Sequence, residues 1–411
     1  MTSISPFRAL RPQKRFVREV AAPPYDVISS EEARAVAEAN PLSFLRISKP
    51  EIEFPQGAAD RRIYERARAV LGEFRAKGIF VQDEKPSLYL YSLRMGDHTQ
   101  TGLVTCVQVS EFDGGKVKDH ERNLPHKVED RTMHIEAVNA QTGPIFMTYS
   151  ARPDIDAIVE RISKGSPEYD FTSDDGISHK VWIICGGPAA EEIIRAFGEV
   201  DRLYIADGHH RAAAAVAVAR KRGEEAGAVR GSEEYDGVMA VLFPHNQLRI
   251  MDYNRAVRDL GGLSKDKFID RVRKKFLVGA DFRRRSPSRI HEFGMYLEGE
   301  WYRLKARKGT YDPSDAVDSL DVSILQKNLL SPVLRIQDPA SDKRIRFVGG
   351  ARGMDELERM VDSGAFAVAF SIYPPALEQM LRVADEGKIM PPKSTWFEPK
   401  LRSGIFIHVL E

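Results

Sequence analysis

Apolar residues recur along this chain at two spacings, and each spacing implies a type of element. From Ala58 to Lys77 the apolar positions Ile63, Ala67, Val70, Leu71 and Phe74 fall on one face of a helix, and Gly78 marks its end. A shorter helix is expected after Ser29 or Ser30. Either serine can cap it, Glu31 and Glu32 suit its first turn, and Pro41 lies beyond its end. Alternating or continuous apolar runs read as strands: Leu88 to Arg94, Leu103 to Val109, Pro144 to Ser150, Val181 to Cys185 and Val238 to Phe243. Met95 to Gly102 forms a hairpin-like connection between the first two. Helices are expected over Glu129 to Ala140 and Ala189 to Phe197, with a polar loop from Lys164 to Ser178. Leu203 to Ile205 is a short strand. It feeds a turn, Asp207-Gly208-His209-His210-Arg211, and an Ala-rich helix that starts at or near Arg211 and ends near Arg220.

Beyond Leu260 charge becomes dense, in KDKFIDRVRKKF and FRRRSPSR, which read as solvated helix faces and loops. Met295 to Ala306 is a hairpin with Glu298-Gly299 at its turn. Helices and strands mix without strict βαβ alternation, so the expected fold class is α+β. Soft boundaries fall near residues 85 and 260.

Composition narrows the function classes. The 411 residues suggest two or three domains and suffice for a core without disulfides. Lys plus Arg is 61 and Asp plus Glu is 60, a net charge of +1, which argues against a dedicated nucleic-acid or anionic-membrane binder. The apolar-leaning run Ser363 to Leu377 is too short to span a membrane and contains Pro374 and Pro375. The amino terminus lacks a signal-peptide core, so a cytoplasmic protein is expected. Cys106 and Cys185 sit in apolar runs and read as buried thiols in strands. Oligomeric state is left open, a homo-oligomer included.

The sharpest chemical signal is the strand-to-helix turn at Asp207. Gly208 allows positive φ and close approach of a ligand. The helix start offers N–H groups and positive partial charge, and Arg211 adds a fork suited to phosphate. His209 and His210 can donate to phosphoryl oxygens or move a proton. Asp207 beside a phosphate site suits a Mg²⁺ ligand.

This DGHHR turn after a short strand resembles the signature box of the ParB/sulfiredoxin-like superfamily, whose members bind nucleotide phosphates there. PFRALRP, APPYDVIS, HERNLPHKVEDR, IADGHHR and MPPKSTWFEPKLRSG, in that order, resemble a bacterial and archaeal family known only as a domain of unknown function. The superfamily also includes free-serine kinases, to which the chain is distantly similar. The resemblance implies a ParB/sulfiredoxin-like core over residues 86–258, an N-terminal segment over 1–85 and a C-terminal α/β region over 259–411. It further implies phosphoryl transfer from ATP or ADP, with Mg²⁺, to a small hydroxylated metabolite, free L-serine being favoured. Glu121 would then be the general base, Asp207 and His210 catalytic, and Gly208, His209 and Arg211 phosphate-binding. Arg122, Lys127 and Arg131 would neutralise phosphate charge. The alternative is a nucleotide-binding regulatory switch without metabolite kinase activity. The box differs from that of sulfiredoxins, which place a cysteine where this chain has His209.

Two further signals are weaker. Lys393, Ser394 and Thr395 follow Pro391-Pro392 and can bind an anion, yet the glycines of a P-loop are missing. Pro23-Pro24-Tyr25-Asp26 reads as a rigid surface turn. His120, His126 and His134 fit no standard zinc spacing.

Overall fold

The computed structural model describes residues 2–55, 61–227, 231 and 233–411. Ala58 to Asp60, at the start of an expected helix, lie outside the described residues. So do Ala228 to Arg230 and Ser232, in the stretch expected to link helix and strand. The α+β class holds. The chain forms two compact units. One comprises the residues up to Asp119, Asn123–Leu248 and Pro399–Glu411; the other comprises His120–Arg122 and Arg249–Glu398.

The first unit is built on a nine-stranded sheet. Eight strands run in the order Val117–Lys118, Leu203–Asp207, Ile145–Tyr149, Gly237–Pro244, His98–Gln108, Leu88–Met95, Ser178–Ile184 and Tyr169–Thr172. Ile4–Ser5 pairs with His98–Gln108 beside that path. Leu203–Asp207 is parallel to Val117–Lys118, and Gly237–Pro244 is parallel to Ile145–Tyr149. Every residue of Gly237–Pro244 is buried, as a strand covered on both faces must be, so its sequence is a continuous apolar run. The helices Pro153–Ser163, Gly187–Gly198 and His209–Ala226 bury Ile155, Ile158, Ile193, Phe197, Ala212 and Ala215 in one core with the sheet. A second, four-stranded sheet orders Phe80–Gln82, Ala9–Pro12, Ile407–Val409 and Ala140–Gln141. It brings the two ends of the chain together. The helix Arg62–Ala76 packs Val70, Leu71 and Phe74 into its core, as the apolar spacing implied.

The second unit holds a six-stranded antiparallel sheet in the order Phe276–Gly279, Glu300–Ala306, Glu292–Leu297, Val368–Ile372, Tyr253–Val257 and Ile345–Gly349. The hairpin at Glu298-Gly299 forms as expected, both residues having positive φ, 48° and 80°. In the charged stretch, Lys265–Arg273 is a helix that buries Phe268, Ile269 and Val272 and turns its charges outward.

Three expectations are corrected. The helix after the Asp207 turn continues past Arg220 to Ala226. Arg220 and Lys221 pair with Asp113 and Glu136 at 2.5 and 2.6 Å, and Gly227 ends the helix at φ 58°. The Lys164 to Ser178 loop contains the strand Tyr169–Thr172, an edge strand in which only Tyr169 is buried. Cys185 is exposed, because Ser178–Ile184 ends one residue before it and Gly186 and Gly187 turn the chain at positive φ; Cys106 is buried. Among the described residues, no helix is long and apolar enough to cross a membrane.

Candidate functional site

The strand Leu203–Asp207 ends on the acid, Gly208 turns the chain, and the helix starts at His209. Gly208 has φ +92°, and a Cβ there would stand 2.9 Å from Arg211 Nη2. Glycine is therefore favoured by its dihedral, and a Cβ would also push aside the Arg211 guanidinium that lies across it. Arg211 Nη1 donates to the Pro144 carbonyl at 2.6 Å, and Nη2 lies 3.6 Å from Asp207 Oδ2. Lys400 Nζ reaches the same oxygen at 3.4 Å. Asp207 is thus a carboxylate between two cations that fixes the direction of Arg211. His209 is buried and His210 half-buried.

Arg211 also lines a cleft of the first unit with about 460 Å³ of empty space, part of it open to solvent. Its other walls carry Tyr25, Ser48, Arg131, Gly143 and Ser403, contributed by distant stretches of chain. Two of those stretches are tied by backbone hydrogen bonds exchanged between Ala22 and Ser403, at 3.1 and 2.9 Å. The helix Pro125–Val138 presents Arg131, whose guanidinium lies 4.1 Å over the Tyr25 ring. Arg131 Nη1 donates to the Ser48 carbonyl at 3.1 Å, and its Nε to Asp130 Oδ2 at 2.7 Å.

The electrostatics follow from burial and from these partners. Asp130 is penalised by burial, but Arg131 and the Tyr64 hydroxyl outweigh that and hold its carboxyl below the usual range. Burial, then the Asp26 charge, pushes Tyr25 up to about 12 against Arg131 and Arg211, so it remains a phenol at neutral pH. Burial and then Arg131 push His134 down to about 4; its Nε2 donates to the Ile47 carbonyl at 2.8 Å. Two polar atoms of this cleft's lining residues are buried with no hydrogen-bond partner, Ser48 Oγ and Arg211 Nε. Both atoms can donate.

The second sequence signal divides between the units. Lys127 and Arg131 belong to the first, Glu121 and Arg122 to the second. In the second unit, His120 meets the Met390 to Trp396 loop. The Met390 N–H donates to the His120 carbonyl at 2.8 Å, and His120 Nε2 lies 3.3 Å from Thr395 Oγ1. Ser394 Oγ closes its own loop on the Pro391 carbonyl at 2.5 Å. The Lys393 carbonyl accepts from Arg255 Nη2 at 2.9 Å. Sequence reading did not single out Arg255, a buried guanidinium against the Tyr253 and Phe347 rings that burial pushes down to about 10. Nor did it single out Ser48, Lys400 or Ser403, and it took Tyr25 for part of a surface turn. Their only signal was indirect: APPYD and KLRSG carry part of the family resemblance.

The residues do not fit a magnesium ion held by the protein alone. Asp207 already faces Lys400 and Arg211, and among the described residues no three His, Cys, Asp or Glu side chains gather where they could hold a metal ion.

No curated protein matches the sequence. Among solved structures, free serine kinase in complex with AMP is similar at 13% identity, over 72% of this chain and 86% of that one, with a TM-score of 0.37. A conserved hypothetical protein from Pyrococcus furiosus is similar at 16% identity, over 74% and 94%, with a TM-score of 0.36. SbnI with C-terminal truncation from Staphylococcus aureus is similar at 12%, over 72% and 82%, also at 0.36. Likenesses this distant decide neither fold nor chemistry. The model of the family described as protein of unknown function, DUF1015, matches residues 4–323, and the chain belongs to that family.

Proposed function

We propose that this protein transfers a phosphoryl group from a nucleotide, ATP or ADP, to a small hydroxylated metabolite. The core would be ParB/sulfiredoxin-like over residues 86–258, flanked by 1–85 and 259–411. One observation carries the nucleotide part: Ser48, Arg131, Arg211 and Tyr25 line one cleft, and two of these residues hold a buried donor without a partner, Ser48 Oγ and Arg211 Nε. Two unpaired donors beside two guanidinium groups suit an oxygen-rich anion, and a phosphate presents several acceptor oxygens at once. Phosphoryl transfer asks a protein chiefly for positioning and charge neutralisation.

Within the first unit, Arg131 and Arg211 would hold phosphate oxygens, and Ser48 and Tyr25 would donate to the oxygens that remain. Asp207 and Lys400 would keep Arg211 aimed. Gly208 lets the guanidinium cross the turn, and His209, His210 and Lys127 keep the phosphate-site roles that the resemblance implies. Any Mg²⁺ would arrive on the nucleotide's own phosphates. L-Serine as acceptor rests on the resemblance, as do the roles of Glu121 as base and of Arg122. Lys393, Ser394 and Thr395 stay proposed for substrate binding on their residue types alone.

The test is to incubate purified protein with ATP or ADP, Mg²⁺ and serine, and to follow phosphoserine while titrating nucleotide binding. Product with either nucleotide is expected, with turnover lost and nucleotide affinity kept in Glu121→Gln. Nucleotide binding without product on any hydroxylated acceptor would leave the regulatory-switch reading. Absence of nucleotide binding would end both.

A further inference from the structure

Positive charge is concentrated in one stretch of the second unit. Residues 265–308 carry 14 Lys and Arg against 6 Asp and Glu, in a chain whose totals are 61 and 60. Five of those six acids are engaged: Asp270 pairs with Arg273, Asp281 with Arg283, Glu292 with Arg289 and Arg303, and Glu298 and Glu300 with Lys265. Lys274, Lys275, Lys305, Arg307 and Lys308 are exposed, and among the described residues none of them pairs with a carboxylate. Strand pairing gathers them. Phe276–Gly279 runs antiparallel to Glu300–Ala306 with Leu277 opposite Lys305, and the Arg307 N–H donates to the Lys275 carbonyl at 3.0 Å.

The same strand is an edge of the six-stranded sheet. Among the described residues, Glu300–Ala306 is the one strand that pairs with it. Along an antiparallel ladder, successive residues turn their N–H and C=O to one side and then the other. Arg307 bonds across to Lys275, whereas the Ala306 N–H points the opposite way, to the His291 carbonyl at 3.0 Å. Lys275, Leu277 and Gly279 therefore direct their backbone groups at Glu300–Ala306, and Phe276 and Val278 direct theirs to the open side. Between these two, Leu277 is 49% exposed. The edge thus combines backbone donors and acceptors, an apolar side chain and a surplus of cations. A phosphate backbone or a lipid surface would answer the charge but has no strand to pair. Lysines at an edge turn away neutral strands, and a second copy brings the same cations and is repelled. An extended, acidic peptide answers all three features.

We propose that this edge docks an acidic peptide segment of a partner protein as an added strand. The segment's backbone pairs with Phe276 and Val278, an apolar side chain covers Leu277, and its carboxylates meet Lys274, Lys275, Lys305, Arg307 and Lys308. Backbone pairing supplies affinity, and charge supplies the choice of partner.

The probe is a short labelled peptide of alternating aspartate and valine, titrated with the full chain at neutral pH and followed by fluorescence anisotropy. It is expected to bind, and to bind less tightly as salt rises. The same peptide with lysine for aspartate should not bind. Methylating the peptide's backbone nitrogens keeps its charge but removes its donors, and should weaken binding by about tenfold or more. Val278→Pro removes an outward N–H without costing a ladder bond and should abolish binding. Lys274→Glu combined with Lys275→Glu should do the same from the surface, and it decides the matter should Val278→Pro fail to fold. No binding of the aspartate peptide overturns the proposal, as does equal binding of the methylated one or binding that survives both sets of substitutions. Tighter binding of duplex DNA or of phosphatidylserine vesicles overturns it too, as does self-association of the chain that Val278→Pro abolishes.

Discussion

Gly208 and Ser48 make opposite demands on a substitution. At Gly208 a side chain meets both a φ of +92° and the Arg211 guanidinium at 2.9 Å. Gly208→Ala should destabilise the first unit by about 1–2 kcal/mol, measured by urea unfolding, and weaken nucleotide binding by displacing Arg211. At Ser48 the hydroxyl is buried without a partner. Ser48→Ala removes a polar atom whose burial nothing compensates, so stability should hold or rise slightly, while nucleotide affinity falls by about 1 kcal/mol. Loss of both stability and affinity would assign Ser48 to packing. The thiols give a simpler check. Cys185 is exposed, whereas burial and then the Glu234 charge push the Cys106 thiol up. One thiol per chain should react with a thiol reagent in the native protein, and both after denaturation. The Asp207 turn was legible from sequence because its unusual residues are contiguous. Ser48 was not, since a lone serine between Ile47 and Lys49 announces nothing until the chain is folded around it.

Among the helices, the best written in sequence is Ser30–Ala39. Ser29 caps it: its Oγ accepts the Glu32 N–H at 3.1 Å, and Glu32 Oε2 accepts the Ser29 N–H at 2.9 Å. Ser29→Ala should cost about 1 kcal/mol, read as a lower midpoint in urea with an unchanged slope. Such caps are local, which is why this helix could be anticipated. The end of the helix His209–Ala226 could not. Its last turns carry charges that look like a linker and are held by Asp113 and Glu136, far away in sequence. The edge strand Tyr169–Thr172 escaped notice for a similar reason: its pattern is polar, and its partner Ser178–Val181 supplies the pairing.

At the scale of the molecule, buried groups in the two units contribute to acid stability in opposite senses. In the first, burial holds His134 near 4 and His179 near 3, below the ordinary histidine value. The folded form keeps these rings neutral while the unfolded chain takes up protons. Stability from them is present above about pH 6.5 and is lost as pH falls toward 4 and then 3, roughly 3 kcal/mol for His134 alone. In the second unit, Asp321 is raised to about 7. There the folded form holds the proton, so that contribution is present at low pH and is lost as pH rises from about 4 through 7. Unfolding of the native protein and of Asp321→Asn, followed with a probe in the second unit, isolates that contribution. Relative to Asp321→Asn the native protein should lose stability between pH 4 and 7, and a difference that does not change with pH would refute the assignment.

The chain by itself determined what depends on neighbours in sequence. That covers several helices and core strands of the first unit, the hairpin at Glu298-Gly299, the α+β class and the Asp207 turn. These follow from periodicity, capping and the freedom of glycine, which act over a few residues. Only the folded molecule decided what depends on residues remote from one another. It set Lys400 against Asp207 and brought Tyr25, Ser48, Arg131 and Ser403 to one cleft with Arg211. It placed Glu121 with the second unit, and it left one oxygen of Asp321 buried without a hydrogen-bond partner. Burial and charge pairing are properties of the surroundings, and a sequence does not contain its surroundings until strands from distant parts of the chain have paired.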